Sequence, residues 1–246
     1  MNMQLFSRIV ACCLLLTPFL ATADAASCLL AIDIGHDRSA AGAKSARGKP
    51  EWFFNNALAR LLYQRAIEQN LQAILINPSG ASIRLSDRPQ LAQAAQASCL
   101  ISIHHDSVQA QYLLPWNWNG NALRYSDRFR GYGLFVSGKN PAFAESRKIA
   151  HDIADSLLQN HLSPSLHHAE PIAGENRPLL DPQRGIYQFD DLVVLRQANM
   201  PAVLVEAGVI VHRDQEREVS TPDQQNKIVE AILAAFRLHC RRQTPS

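Results

Sequence analysis

Residues 29–62 read LLAIDIGHDRSAAGAKSARGKPEWFFNNALARLL. An apolar run, Leu29–Ile34, ends at Gly35-His36; a loop of small residues follows, and Glu51 opens a segment of helical periodicity. Over Glu51–Asn70, the side chains of Phe54, Leu58, Leu61, Leu62 and Ala66 share one stripe, while Asn56, Arg60, Gln64 and Glu68 lie elsewhere. An apolar strand without alternation is buried on both faces, and a helix directly after it supplies one of the two covers. The stretch therefore predicts the first βα unit of an α/β sheet. It also poses a chemical question: whether His36, at the strand end, and Glu51, at the helix start, share a ligand.

Further apolar runs of strand length recur at Leu71–Ile76, Leu100–Ile103, Gly133–Val136, Leu192–Leu195 and Ala202–Val205. Helical segments separate most of them. The predicted fold is α/β, a single domain with a mostly parallel central sheet of about six strands and helices on both faces. Asn140-Pro141 reads as an N-cap with proline in the first helical position, and Thr221-Pro222-Asp223-Gln224 as a capping box, so helices are predicted to start near 141 and 222. Neither an internal repeat nor a linker divides the chain. Two long segments, 106–131 and 161–190, lack the pattern; loops of such length are lids, binding loops or surface packing. In α/β sheets the ligand crevice lies beyond the carboxyl ends of the strands, where both segments could border it. His167 and His168 stand in the second segment and read as a solvated pair rather than a metal site.

The 246-residue chain begins MNMQLFSRIVACCLLLTPFLATADAA, with Arg8, an apolar core from Ile9 to Leu20, and Ala23-Asp24-Ala25. That is the pattern of a secretory signal peptide over residues 1–25, leaving residues 26–246 as the mature domain. The apolar core is shorter than the roughly 20 residues of a membrane span and no later run approaches that length, so no transmembrane segment is expected. A mature chain of about 220 residues fits one sizeable domain. Its expected location is outside the cytoplasm: the periplasm in a Gram-negative cell, otherwise secreted or in the cell wall. A formal net charge of +2 carries no polyanion signal, so nucleic acid is not implied as a partner. Once Cys12 and Cys13 leave with the signal, Cys28, Cys99 and Cys240 allow either one disulfide or three buried thiols. A lipid anchor at Cys28 is disfavoured, because Ala25 stands where a large aliphatic residue is wanted.

Three of the predicted strands end in chemically capable residues: AIDIGH in His36, LISIHH in His104 and His105, and AVLVEAG in Glu206. Parallel strands gather these groups at one sheet edge, and Glu51 follows the first of them. Two neutral imidazoles and a carboxylate suit Zn²⁺, and three protein ligands leave a fourth position for water, the mark of a catalytic site. Each residue alone has a plainer explanation, since a strand-end histidine can bond backbone and a glutamate opening a helix favours the macrodipole. Their coincidence carries the metal reading. Asp33 and Asp106 are candidates to orient ligand imidazoles or to cap backbone N–H groups. Tyr112, Trp116, Trp118 and Tyr125 are candidates for packing on a sugar or peptide substrate, or for a local core.

In order and approximate separation, the segments AIDIGHD, EWFFNNALA, ISIHHDS and VLRQANMPAVLVEAG resemble the signature segments of the zinc-dependent N-acetylmuramoyl-L-alanine amidases of bacterial cell-wall turnover, of the Amidase_3 type. The resemblance implies one Zn²⁺ per chain on His36, Glu51 and His104, with Glu206 as the catalytic acid/base. It implies peptidoglycan as substrate and hydrolysis of the amide joining N-acetylmuramic acid to L-alanine. His104 is assigned to the metal because it directly follows Ser102-Ile103. His105, where the family has a small residue, is left to substrate contact or to structure. Family members held inactive until an activator binds carry an occluding helix between the fourth strand and the next helix. Here only Gly138, Lys139 and Asn140 stand between the two, which predicts that this element is lacking; a protein activator stays unassigned. Two alternatives remain open: a zinc peptidase cutting within the stem peptide, and a peptidoglycan-binding domain without catalysis.

Overall fold

The computed structural model describes residues 28–243; the predicted signal peptide, with Cys12 and Cys13, lies outside them. The elements in chain order are β1 (Leu29–Ile34), α1 (Glu51–Glu68), β2 (Gln72–Ile76), α2 (Asp87–Ala94), β3 (Cys99–Asp106), β4 (Leu114–Trp118), β5 (Asn121–Tyr125), β6 (Gly133–Val136), α3 (Phe143–Gln159), β7 (Leu179–Asp181), β8 (Ile186–Gln188), α4 (Val193–Arg196), β9 (Ala202–Val209), α5 (Gln215–Glu218) and α6 (Pro222–Gln243). Single 3₁₀ turns occupy Ala110–Tyr112 and His167–Ala169. Seven strands form the main sheet in the order β2-β1-β3-β9-β6-β8-β7, one more than the six expected, and β4 and β5 form a separate hairpin. Strands β2, β1, β3 and β9 run parallel; β6 is antiparallel to β9, β8 parallel to β6 and β7 antiparallel to β8.

Alternation along the central strands divides the core in two. Leu30, Ile32, Ile101, Ile103, Val203 and Val205 point to the face covered by the long helices α1, α3 and α6. Ala31, Leu100, Ala202 and Leu204 point the other way, toward a thinner cover that includes Ala92 of α2 and Leu195 of α4. The long-helix face is the stronger of the two. Removing a fully buried leucine from it, such as Leu58 or Leu62, typically costs about 2–5 kcal/mol. His104 and Glu206, toward the carboxyl ends of β3 and β9, point to the thin face.

A disulfide joins Cys28, just before β1, to Cys240 near the end of α6, and Cys99 is a buried free thiol. Of the two cysteine readings left open, the structure takes the first. Half of the expected capping box forms ahead of α6: Thr221 Oγ1 accepts the Gln224 N–H at 3.3 Å, while the Thr221 N–H goes to the Glu218 carbonyl at 2.9 Å rather than to the Gln224 side chain. Asn140 is different. Its Oδ1 accepts the Ala142 N–H at 2.7 Å, but its Nδ2 donates to the carbonyls of Leu195 and Met200 at 2.8 and 3.1 Å, so it ties two loops together and α3 starts only at Phe143.

Leu192–Leu195 was expected as a strand and is not one: Val193–Arg196 form the single helical turn α4. A four-residue apolar run has no periodicity with which to tell strand from buried helix. Segment 106–131 was expected without regular structure and holds the β4–β5 hairpin, turned by Asn119 and Gly120 at φ 50° and 80°. Among the described residues no helix is long and apolar enough to cross a membrane.

Candidate functional site

His36 sits one residue beyond Gly35 at the end of β1, in the left-handed region with φ 65°. A side chain there costs on the order of 1–2 kcal/mol. The compensation comes from Arg88 of α2, only 2% exposed, which donates to the Asp33 carboxylate and the Ile34 carbonyl at 2.7 and 2.6 Å and to the His36 carbonyl. Ser102 Oγ donates to the other Asp33 oxygen at 2.6 Å. Asp33 therefore does not orient a ligand imidazole, as one reading had it. It anchors Arg88, which in turn fixes the backbone that carries His36. Gly35 is required beneath the site, because a Cβ there would lie 2.4 Å from the His104 ring.

Glu51, at the start of α1 and 4% exposed, is the hub. His36 Nε2 lies 3.0 Å from one of its carboxylate oxygens and His104 Nδ1 lies 3.1 Å from the other. The backbone N–H groups of Ala43 and His105 donate to the same two oxygens at 3.2 and 3.3 Å, and Asn55 Nδ2 adds a bond at 3.0 Å. Burial alone would raise its pKa, but the hydrogen bonds and charge of His104 and His36 reverse the sign and hold the carboxyl well below the usual range. One donor atom from each of His36, Glu51 and His104 lies within 4.8 Å of the others. The two remaining ring nitrogens, His36 Nδ1 and His104 Nε2, have no hydrogen-bond partner among the described residues.

His105 goes elsewhere. Successive residues of a strand face opposite ways, so His104 shares the thin face with Leu100 while His105 follows Ile101 and Ile103 to the α1 side. There it is 2% exposed, packs on Phe54 and bonds Asn55 Oδ1 at 2.8 Å. Burial pushes its pKa down to about 3, so it is neutral. The expected substrate contact of His105 has no surface to make it. Its role runs through Asn55, which also donates to the Gly35 carbonyl and to Glu51. Asn55 was not singled out in the sequence, although an amide four residues after Glu51 on an otherwise apolar helix face is a readable signal.

Glu206 on β9 is in register with His104 on β3, which places both side chains on the thin face as direct neighbours. Its Oε2 is buried with no hydrogen-bond partner. Burial, together with the negative charges of Asp106 and Glu51, holds this carboxyl well above the usual range. A carboxyl that takes and returns a proton works best when its pKa approaches the operating pH, and burial moves Glu206 in that direction.

The two predicted loops differ in what they bring. Segment 161–190 folds its histidines inward rather than into solvent: His168 bridges Asp106 and Glu175 at 2.7 and 2.8 Å, and His167 bonds Ser165 Oγ at 2.8 Å and the Ser107 carbonyl at 3.2 Å. Asp106 is thereby committed to His168 and the Ser107 N–H, not to a candidate ligand. In the hairpin, Trp116 and Trp118 stack at 5.4 Å, with Arg47 over both rings, and Trp116 Nε1 donates to the Ala46 carbonyl at 2.8 Å. These half-buried rings pack against the loop before α1.

Comparison with known proteins bears on the arrangement. The family model described as N-acetylmuramoyl-L-alanine amidase, Amidase_3, matches residues 30–237. The N-acetylmuramoyl-L-alanine amidase AmiC of Escherichia coli O6:H1 is 21% identical over 222 residues, covering 86% of this chain, which spans only 52% of that relative. Among solved structures, the amidase Ami1 of Mycobacterium smegmatis superposes with a TM-score of 0.69 at 18% identity, covering 89% of this chain and 99% of that one. The CwlD amidase of Clostridioides difficile, solved in complex with the GerS lipoprotein, gives 0.64 at 16% identity, covering 87% and 99%. At such identities the structures speak for the fold, while the family model spans nearly all of the described chain, from β1 into α6. The chain belongs to the N-acetylmuramoyl-L-alanine amidase family.

Proposed function

We propose that the protein hydrolyses the amide between N-acetylmuramic acid and L-alanine in peptidoglycan, as its family does, with one zinc ion on His36, Glu51 and His104 and with Glu206 as the proton carrier. The observation that carries the reading is the convergence of two imidazoles on the two oxygens of Glu51, with Glu206 in register beside His104. The donor set, two imidazoles and a carboxylate, fits zinc with one position left open. Bound there, zinc would lower the pKa of water toward neutrality and polarise the amide carbonyl. Asn55, His105 and the Ala43 N–H hold the Glu51 carboxylate in its orientation. Arg88 fixes the turn that presents His36. Glu206 takes the proton of the attacking water and returns it to the departing alanine nitrogen.

Residues 1–25 are proposed to direct export, with residues 26–246 as the mature catalytic domain. The Cys28–Cys240 disulfide supports that assignment, since such bonds persist in oxidising compartments. The test of function is mass spectrometry of products from purified peptidoglycan, with and without a chelator. Release of intact stem peptide and peptide-free glycan, abolished by the chelator and restored by zinc, is expected. Fragments cut within the stem peptide would replace this reading with the peptidase one.

A further inference from the structure

Glu206 lines a cavity of about 190 Å³ on the thin face of the sheet, walled by Phe135, Leu204 and Phe189 and rimmed by His168 and Arg177 from the 161–190 segment. The charges around it are unequally committed. His168 is held between Asp106 and Glu175, and Glu175 also accepts from Gln109 Nε2 at 2.9 Å, so these groups satisfy one another. Arg177 has no carboxylate within ion-pair distance among the described residues. Its guanidinium lies over the Phe189 ring at 3.7 Å, and Nη2 donates to the Gly174 carbonyl at 3.0 Å. Stacking on an aromatic face fixes the plane of an arginine while leaving further N–H groups to donate, the preorganised fork that recognises carboxylates.

We propose that this cavity seats the peptide side of the scissile amide and that Arg177 selects peptides with a carboxylate on the residue after the alanine. The inference rests on the assignment of Glu206 as proton carrier: the nitrogen that receives its proton belongs to the alanine, so the peptide continues from Glu206 outward. The apolar wall suits a small aliphatic side chain, and the next residue along reaches the rim where Arg177 waits. A carboxylate there gains an ion pair with a cation that no carboxylate among the described residues has claimed; a carboxamide gains only a hydrogen bond without the opposite charge.

Arg177 also has a structural part, since its backbone N–H bonds the His168 carbonyl at 2.7 Å. The test must therefore separate recognition from loop integrity. Calorimetry would measure binding of two L-alanyl peptides to the zinc-loaded full chain, one with a free carboxylate on its second residue and one with that group as carboxamide. Hydrolysis of peptidoglycan fragments with the same difference would be followed in parallel. The wild type is expected to favour the carboxylate by about 10- to 100-fold, as a charge-assisted pair warrants. Arg177→Gln should level the two, acting chiefly on KM with the melting temperature kept, and Arg177→Lys should keep part of the preference. Equal treatment of the two peptides by the wild type overturns the proposal, as does a loss in Arg177→Gln that is the same for both and comes with a lowered melting temperature. The function itself fails separately, if the wild type shows the binding preference but leaves the muramoyl amide intact.

Discussion

Two clusters of almost the same composition lie at one edge of this sheet. His36, Glu51 and His104 form the first; Asp106, His167 and His168, joined by Glu175, form the second, and each offers three donor atoms within 4.8 Å of one another. They differ in closure. In the second cluster every ring nitrogen has a protein partner: His168 uses both on carboxylates, and His167 uses one on Ser165 and the other on the Ser107 carbonyl and Asp106. In the first, each imidazole spends a single nitrogen on Glu51. A metal needs deprotonated donors, whereas an imidazole that is protonated on both nitrogens and bonded to two carboxylates holds a competitor in place. Burial disfavours a charge on His168, but Asp106 and Glu175 outweigh it and push its pKa up to about 9. Residue type therefore does not separate the two clusters; the number of ring nitrogens that protein groups engage does.

The strongest way to break this contrast is to remove histidines from each cluster. His36→Ala and His104→Ala are expected to lose zinc and to reduce turnover to background, while His168→Ala and His105→Ala keep stoichiometric zinc. Metal analysis of the four purified variants decides, and zinc loss from His168→Ala with retention in His104→Ala would invert the assignment.

Next in size is Glu206→Gln, which preserves shape but cannot accept a proton. Turnover should fall by on the order of 10² to 10⁴ with zinc still bound. Either a metal-free variant or one with near-normal turnover would remove Glu206 from the proposed chemistry.

The closed cluster predicts a pH effect on stability. A histidine with folded pKa near 9 against 6.5 when unfolded contributes fully below pH 6.5, and the contribution disappears as pH rises through 9. At about 1.4 kcal/mol per pH unit the full effect is at most about 3 to 4 kcal/mol. Thermal midpoints at pH 6 and pH 9.5 should differ more in the wild type than in His168→Gln; equal differences would mean that His168 is not the charged link. The smallest expected effect belongs to the hairpin. A Trp116→Ala/Trp118→Ala variant should keep zinc and near-normal kinetics while losing stability, because the rings pack on Arg47 and Ala46. A tenfold drop in kcat/KM at unchanged melting temperature would return these rings to substrate binding.

Several errors at the sequence level have definite causes. The hairpin was legible and missed: Trp116, Asn117 and Trp118 alternate before Asn119-Gly120, the pair that favours a two-residue turn of the type seen here. The Leu192–Leu195 run was not legible, because four apolar residues fit either element and only their packing beside Met200 and Asn140 decides. The neighbours His104 and His105 were legible through strand parity, once the core face of Ile101 and Ile103 is known.

The sequence by itself determined the βα order, the covered parallel sheet and the set of strand-end residues, because periodicity, caps and local motifs are properties of short stretches of chain. Only the tertiary structure decided which of those residues cooperate. Arg88 reaches Asp33 across 55 positions, His168 reaches Asp106 across 62, and Glu206 stands beside His104 through strand pairing across 102. Such contacts depend on strand order and on where the long loops land, and no local pattern encodes either. The two histidine clusters differ in the same way: in one a distant carboxylate or carbonyl reaches the second ring nitrogen, and in the other none does among the described residues.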